Sequence, residues 1–287
     1  MSRLWRDQLA VFLAPDQVIV AGQSRGFKPF PLFRQRVMCP QLADPTTKPL
    51  PWELPLHQLE QLMELLNTQI KAGSDLRITL ADDFVRYGVI APQSALASPD
   101  ELITYASFQM RETYGDRVEE WALSISSWDP LDGGLCAGVS LGLLAALEHF
   151  AVRHELKLKY TEPYLAAALD YWSRKLSSEQ LWFVLIENNR FCLASILAGR
   201  WRGIRNQRIV DNLEQELLSA LEQEAILSGQ PADTRPQRVQ VFAPATIEWQ
   251  LPQVQGWYFE RLIQSEQPVP AQFPFTALPE SQVSAYA

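Results

Sequence analysis

The order strand, strand, strand, helix, strand occurs twice along this chain, and that repeat predicts an α/β protein built from two ribonuclease-H-like halves, the second truncated. Two antiparallel meanders begin near Leu9 and Leu181, an amphipathic helix follows each, and an apolar strand follows each helix. A length of 287 residues is enough for two such halves, and a hydrophobic content of 47% is enough to fill their cores.

The first meander is read from LAVFL, QVIVAG and LFRQRVM between Leu9 and Met38, separated by turn chemistry at Pro15-Asp16 and Ser24-Arg25-Gly26. A Pro-rich passage from Pro40 to Pro55 leads into Leu56, Leu59, Leu62, Met63, Leu66 and Ile70, whose spacing marks one apolar helix face, with Gly73 as its stop. Strands are expected over Leu76 to Leu80 and Phe84 to Ile90. Ser98-Pro99-Asp100-Glu101 then supplies an N-cap, a proline at the first helical position and a glutamate that completes a capping box. That helix places Ile103, Ala106, Met110 and Tyr114 on one side and closes at Gly115. Strands Trp121 to Ser126 and Leu135 to Val139 flank the turn signals of residues 129–134. A helix begins at Ser140 with Leu143, Leu144, Leu147 and Ala151 in register, a strand covers Leu156 to Tyr160, and Pro163 starts a helix through Leu165, Leu169 and Trp172.

The order restarts with Leu181 to Ile186, Phe191 to Leu197 and Trp201 to Ile209, turned at Asn188-Asn189 and at Gly199. Asp211 and Glu214 read as a capping box for a helix carrying Leu213, Leu217, Leu221 and Ala225. A strand Val239 to Phe242 and a short helical piece, Trp257 to Ile263, complete this copy, which lacks residues for further closing elements. Residues 1–178 are thus expected to form the first half with inserted strands and helices, 179–264 a shortened second half, and 265–287 a Pro-rich tail without periodicity.

The formal charge is −8 and the basic residues are scattered, which disfavours nucleic acid and anionic membrane as partners. Cys39, Cys136 and Cys192 lie far apart, and only His57, His149 and His154 could join them, so neither a disulfide framework nor a metal site is read. No apolar run approaches the roughly 18 residues of a membrane span. A reducing cytoplasm is the expected setting, with no cofactor.

Gly138-Val139-Ser140-Leu141-Gly142 matches G-x-S-x-G between a strand and a helix, the setting of a nucleophile elbow. A serine needs an imidazole in reach, and His149 and His154 lie roughly 13 and 21 Å down the same helix axis. The plain reading is Ser140 as a helix cap. Nucleotide-binding proteins of this architecture hold phosphates at the two meander hairpins, where glycine N–H groups approach the oxygens. Here the hairpins read Leu13-Ala14-Pro15-Asp16 and Glu187-Asn188-Asn189-Arg190, and Phe242-Ala243-Pro244-Ala245 stands where an adenosine loop needs glycines. Glu187 is the one acid placed to handle a metal, against a plain role in the turn. Arg86 sits inside the apolar strand Phe84-Val85-Arg86-Tyr87, with Asp82 and Asp83 as its nearest acids. Arg200, Trp201 and Arg202, with Arg205 and Arg208, form the one basic cluster with an aromatic inside it. Arg86, Arg200, Trp201 and Arg202 are the candidate partner-binding residues, each also readable as a structural or solvated position.

Leu80-Ala81-Asp82-Asp83-Phe84-Val85-Arg86-Tyr87, the strand and helix from Leu135 to Phe150, the stretch Leu156 to Trp172 centred on Glu162-Pro163, and Leu181-Trp182 with the hairpins to Arg208 resemble a known family. It is that of PilM of type IV pilus assembly and the cytoplasmic domain of GspL of type II secretion, and the similarity runs from about residue 8 to 245. The resemblance implies an actin-like scaffold at the cytoplasmic face of the inner membrane. Its partners would be short tails of inner-membrane assembly proteins, with a motor ATPase as a further one. PilM is associated with nucleotide, and this chain departs from it at each phosphate loop. A non-catalytic scaffold is therefore the expectation, and an actin-like ATPase or kinase-like enzyme the alternative.

Overall fold

Short apolar strands, several of them buried along nearly their whole length, organise the described residues into three sheets. The computed structural model describes residues 6–24, 30–40, 50–96, 98–176, 179–229, 237–243 and 256–263. The first part of the chain runs β1 (Gln8–Leu13), β2 (Gln17–Gln23), β3 (Pro31–Met38), α1 (Glu53–Leu65), β4 (Asp75–Leu80), β5 (Val85–Ile90), α2 (Pro99–Tyr114), β6 (Trp121–Asp129), β7 (Gly133–Ser140) and α3 (Leu141–Arg153). It continues through β8 (Lys157–Pro163), α4 (Tyr164–Trp172), β9 (Gln180–Glu187), β10 (Arg190–Leu197), β11 (Arg200–Arg208), α5 (Leu213–Leu227), β12 (Gln237–Phe242) and β13 (Trp257–Arg261).

The first sheet has the order β3-β2-β1-β4-β8 and the second the order β11-β10-β9-β12-β13. In both, an antiparallel meander is extended by two parallel strands, so the two sheets repeat one topology. This is the actin-like arrangement the repeat predicted. A third, antiparallel sheet has the order β5-β7-β6.

The described residues divide into two compact units. One comprises residues 6–84 with 141–167, the other residues 85–140 with 168–263. In the first unit, Leu9, Val11 and Leu13 of β1 stand in register with Gly22, Val20 and Val18 of β2 and with Leu76, Ile78 and Leu80 of β4. Their apolar side chains are fully buried, each worth about 1.5–3 kcal/mol of removal from water. Helix α1 buries Leu59, Leu62 and Met63 and lies against β2 and β3. Phe12 meets Tyr164 edge to face at 5.1 Å.

In the second unit Trp182, Val184, Ile186, Phe191 and Leu193 pack with Leu217 and Leu221 of α5, Val239 and Val241 of β12 and Phe259 of β13. Helix α2 starts as expected: the Ser98 side chain accepts the Glu101 N–H, Pro99 opens the first turn and Gly115 ends the helix at a φ of 68°. Its Ala106 and Met110 join Ile90, Val118 and Cys136 in a smaller core.

Several expectations change. Trp257 to Arg261 is a strand, not a helical piece, because its backbone pairs in parallel with β12 and buries Phe259. Among the described residues the second sheet therefore has as many strands as the first. The cap of α5 is Asn212, whose side chain accepts from the Gln215 N–H, not Asp211. Helix α1 ends at Leu65, ahead of Gly73, whose N–H goes to the Glu155 carbonyl. The tail 265–287, the turn at Arg25-Gly26, most of the Pro40 to Pro55 passage and Pro244-Ala245 lie outside the described residues.

Candidate partner-binding face

Strand β11 is an edge of the second sheet, and its side chains reach in two directions. Towards α5, Arg205 Nε donates to Glu224 Oε1 at 3.0 Å and Arg205 Nη1 to Gln223 Oε1 at 3.0 Å, while Gln207 Nε2 donates to Glu216 Oε2 at 3.0 Å. Glu224 is buried, and its carboxylate lies where a side chain at Gly203 would begin, so glycine lets the carboxylate rest on the strand. In the other direction Asn206 Nδ2 donates to the Val85 carbonyl at 3.3 Å. Arg190 Nη1 donates to Asn206 Oδ1 at 2.7 Å.

Register shifts between Ser195 and Ile196 bring Gly203 opposite Ser195 and Trp201 opposite Ile196, leaving Arg202 as the extra residue of a β-bulge. Arg202 is exposed and Trp201 half-buried. Arg200 Nε pairs with Asp132 Oδ1 at 2.7 Å, which ties the start of β11 to the β6–β7 turn. Arg86 lies elsewhere: its Nη1 donates to the Val85 carbonyl at 2.8 Å, beside Asn206. Six residues of strand separate Asn206 from Arg200, roughly 20 Å. The four residues singled out in the sequence thus fall at opposite ends of β11, with Arg200, Trp201 and Arg202 together and Arg86 apart.

The electrostatics at the Arg86 end follow from burial. Tyr114 Oη donates to the Tyr87 carbonyl at 2.8 Å, and desolvation raises its pKa while the Arg86 charge pulls it back. Asp82, expected beside Arg86, is fully buried in a 3-10 turn and accepts the Leu165 N–H of α4 at 3.4 Å. Sequence reading missed Asn206, Arg190 and Glu224. The one signal was Gly203, an isolated glycine inside a strand pattern.

The hairpins of the phosphate-loop comparison have definite geometry. At β1–β2 the Ala14 N–H is spent on the Gln17 carbonyl at 3.0 Å and Pro15 has none to offer. At β9–β10 the Asn189 carbonyl accepts the Ile209 N–H at 2.8 Å, and Glu187 is buried. Ser140 ends β7, and His154 is taken up by Glu60, with Nε2 and Oε2 2.6 Å apart. Among the described residues no group of three or more His, Cys, Asp or Glu could hold a metal ion, and no helix is long and apolar enough to cross a membrane. What this face can do chemically is offer cations and an aromatic at a bulged edge to an anionic, partly apolar partner.

No family model matches the chain, and no curated protein matches it in sequence. Solved structures do match in fold. The cytoplasmic domain of EpsL, an inner membrane component of the type II secretion system of Vibrio cholerae, is 14% identical over 90% of each chain, with a TM-score of 0.55. A structure titled the PilM–PilN type IV pilus biogenesis complex matches with a TM-score of 0.57 at 14% identity, over 82% of this chain and 81% of the other. A Bacteroides thetaiotaomicron protein with an actin-like ATPase fold and unknown function gives 0.53 at 9% identity, over 86% and 84%. The fold is therefore actin-like, of the form found in components of type II secretion and type IV pilus assembly.

Proposed function

We propose that the chain is a non-catalytic scaffold of a type IV pilus or type II secretion-like machine. On this reading it works in the cytoplasm, peripheral to the inner membrane, and binds short cytoplasmic segments of inner-membrane assembly proteins, with a motor ATPase as a further partner. The observation that carries the reading is the likeness to the EpsL cytoplasmic domain, which spans nine-tenths of both chains. The hairpin geometry supports the non-catalytic part, because in the β1–β2 turn the Ala14 N–H is spent on Gln17 and Pro15 has none to offer a phosphate. The second reading, an actin-like ATPase or kinase-like enzyme, draws on the fold itself and on the buried carboxylate of Glu187 beside the β9–β10 turn.

Affinity capture of the tagged full chain from detergent-solubilised inner membranes of its native host tests the proposal. Recovery of pilus or secretion assembly proteins, unchanged by added ATP and magnesium, is expected. Capture that yields no membrane protein, together with ATP hydrolysis abolished by Glu187→Gln, would replace the scaffold with the enzyme.

A further inference from the structure

Among the described residues, the strand at one edge of the first sheet carries two arginines on one face. β3 is the outer strand of that sheet, hydrogen-bonded to β2 on one side. Its register places Arg34 opposite Ala21 and Arg36 opposite Ile19, so the two guanidinium groups project from the same face about 7 Å apart along the strand. Met38, two positions beyond Arg36 in the same alternating set, is exposed, while Leu32 falls in a register shift between β2 and β3 and lies outside that set.

Neither arginine has a hydrogen bond or an ion pair among the described residues. Arg34 is half-buried, and burial together with the like charge of Arg36 weakens its hold on its proton. A partly desolvated cation beside a second cation, with no counter-charge among the described residues, is an unfavourable arrangement. The row that contains Arg34 continues through Ala21 and Ala10 to Arg77, whose guanidinium lies over the Tyr160 ring at 5.2 Å. The acids on this face lie towards its far edge: Glu162 follows Tyr160 on β8, and Asp75 is engaged by Lys159 at 3.4 Å. The β3 edge is left basic.

We propose that β3 is the docking edge for an extended acidic segment of a partner protein, which adds to the sheet as a strand and sets two carboxylates opposite Arg34 and Arg36. An added strand brings directly opposed side chains to within about 5 Å, the reach of a guanidinium–carboxylate pair. The outward N–H and C=O groups of β3 supply affinity without regard to sequence, and the alternation supplies specificity. The partner segment therefore carries two acidic residues two positions apart and, two positions beyond the one opposite Arg36, an apolar residue lying against Met38. An anion held only by an exposed charge pair would not need the apolar end, and a second copy of this chain would bring like charge to like charge.

This inference names a partner chemistry for the scaffold role proposed above and rests on that role. The probe is a fluorescent synthetic peptide with glutamates alternating with threonines between a leucine and a valine, measured by anisotropy against the full chain. The expected result is saturable binding that weakens with salt and is lost when lysines replace the glutamates. Arg34→Gln with Arg36→Gln should weaken it about tenfold or more, and the charge-reversed pair Arg34→Glu with Arg36→Glu should accept the lysine peptide instead. Thermal unfolding of each variant, expected near that of the parent, confirms that the edge is folded. Failure of the parent to bind, equal binding of both peptides, or unchanged binding by the double variants overturns the proposal. So does a change of oligomeric state in the variants without a change in peptide binding, which would assign the edge to a second copy. Membrane capture with the charge-reversed variant separates the two ideas. If the same partners return, the β3 edge is not their site and the assembly role stands; if the peptide binds but the parent captures nothing, the assembly role fails alone.

Discussion

Gly133 holds a φ of 81° at the start of β7, and a side chain there would run into the Ile90 carbonyl oxygen, a backbone atom that cannot rotate aside. Gly133→Ala combines left-handed strain with a backbone clash, so urea unfolding should show a loss of about 2–4 kcal/mol. A loss under about 0.5 kcal/mol would mean that the β6–β7 turn is not built this way. Glu216 makes a pH-dependent contribution. N–H groups of Asp211 and Val210 and the Gln207 amide bond its carboxylate and hold its pKa below the usual 4.5. A carboxyl with a lowered folded-state pKa adds stability that is present above its unfolded value and lost as pH falls through the folded one. Glu216→Gln should therefore flatten the acid limb of the stability profile in that window by lowering stability at neutral pH more than Glu214→Gln does, with little change at low pH. An unchanged acid limb contradicts the bonds described.

At the scale of elements, the start of α5 separates two registers. Asn212→Ala should lower stability by about 1 kcal/mol and Asp211→Ala by much less, since only Asn212 caps the helix through its side chain. Equal losses in thermal unfolding would return the cap to the position the capping-box pattern favours. Most elements were legible because their periodicity is local: the Leu9 to Met38 meander, the Ser98 cap and the apolar spacing of α5 all stand in the sequence. β13 was not, because Trp257-Tyr258-Phe259-Glu260-Arg261 is too short to distinguish strand from helix. Its conformation is decided by pairing with β12 and by Trp257 meeting Trp182 edge to face at 5.5 Å. The β10–β11 bulge was likewise invisible, since a register shift depends on the partner strand. It is this shift that exposes Arg202 and divides the basic cluster.

For the whole molecule, the repeated strand order was enough to predict an actin-like protein, because each sheet's topology follows from element order and short connections. The candidate partner-binding residues were less legible. Arg86 drew notice as a charge in an apolar strand, yet one of its hydrogen bonds goes to the carbonyl of its own neighbour, and the groups gathered there, Asn206 and Arg190, come from strands more than a hundred positions later. Arg34 and Arg36 drew none, because on sequence alone an arginine at alternate positions of a strand is an ordinary solvated face. What sets them apart is the edge position of β3 and the lack of counter-charges among the described residues, and both are properties of the folded sheet.

The central claim is that this actin-like chain binds a short segment of a membrane assembly protein without needing nucleotide. Calorimetric titration of the purified full chain with synthetic peptides tiling the cytoplasmic segments of its host's inner-membrane pilus and secretion proteins tests it most directly. The account predicts that one tile binds with a stoichiometry of one and micromolar affinity in the absence of nucleotide, about −8 kcal/mol. Binding of ATP with magnesium at similar affinity, with every tile silent, would contradict it.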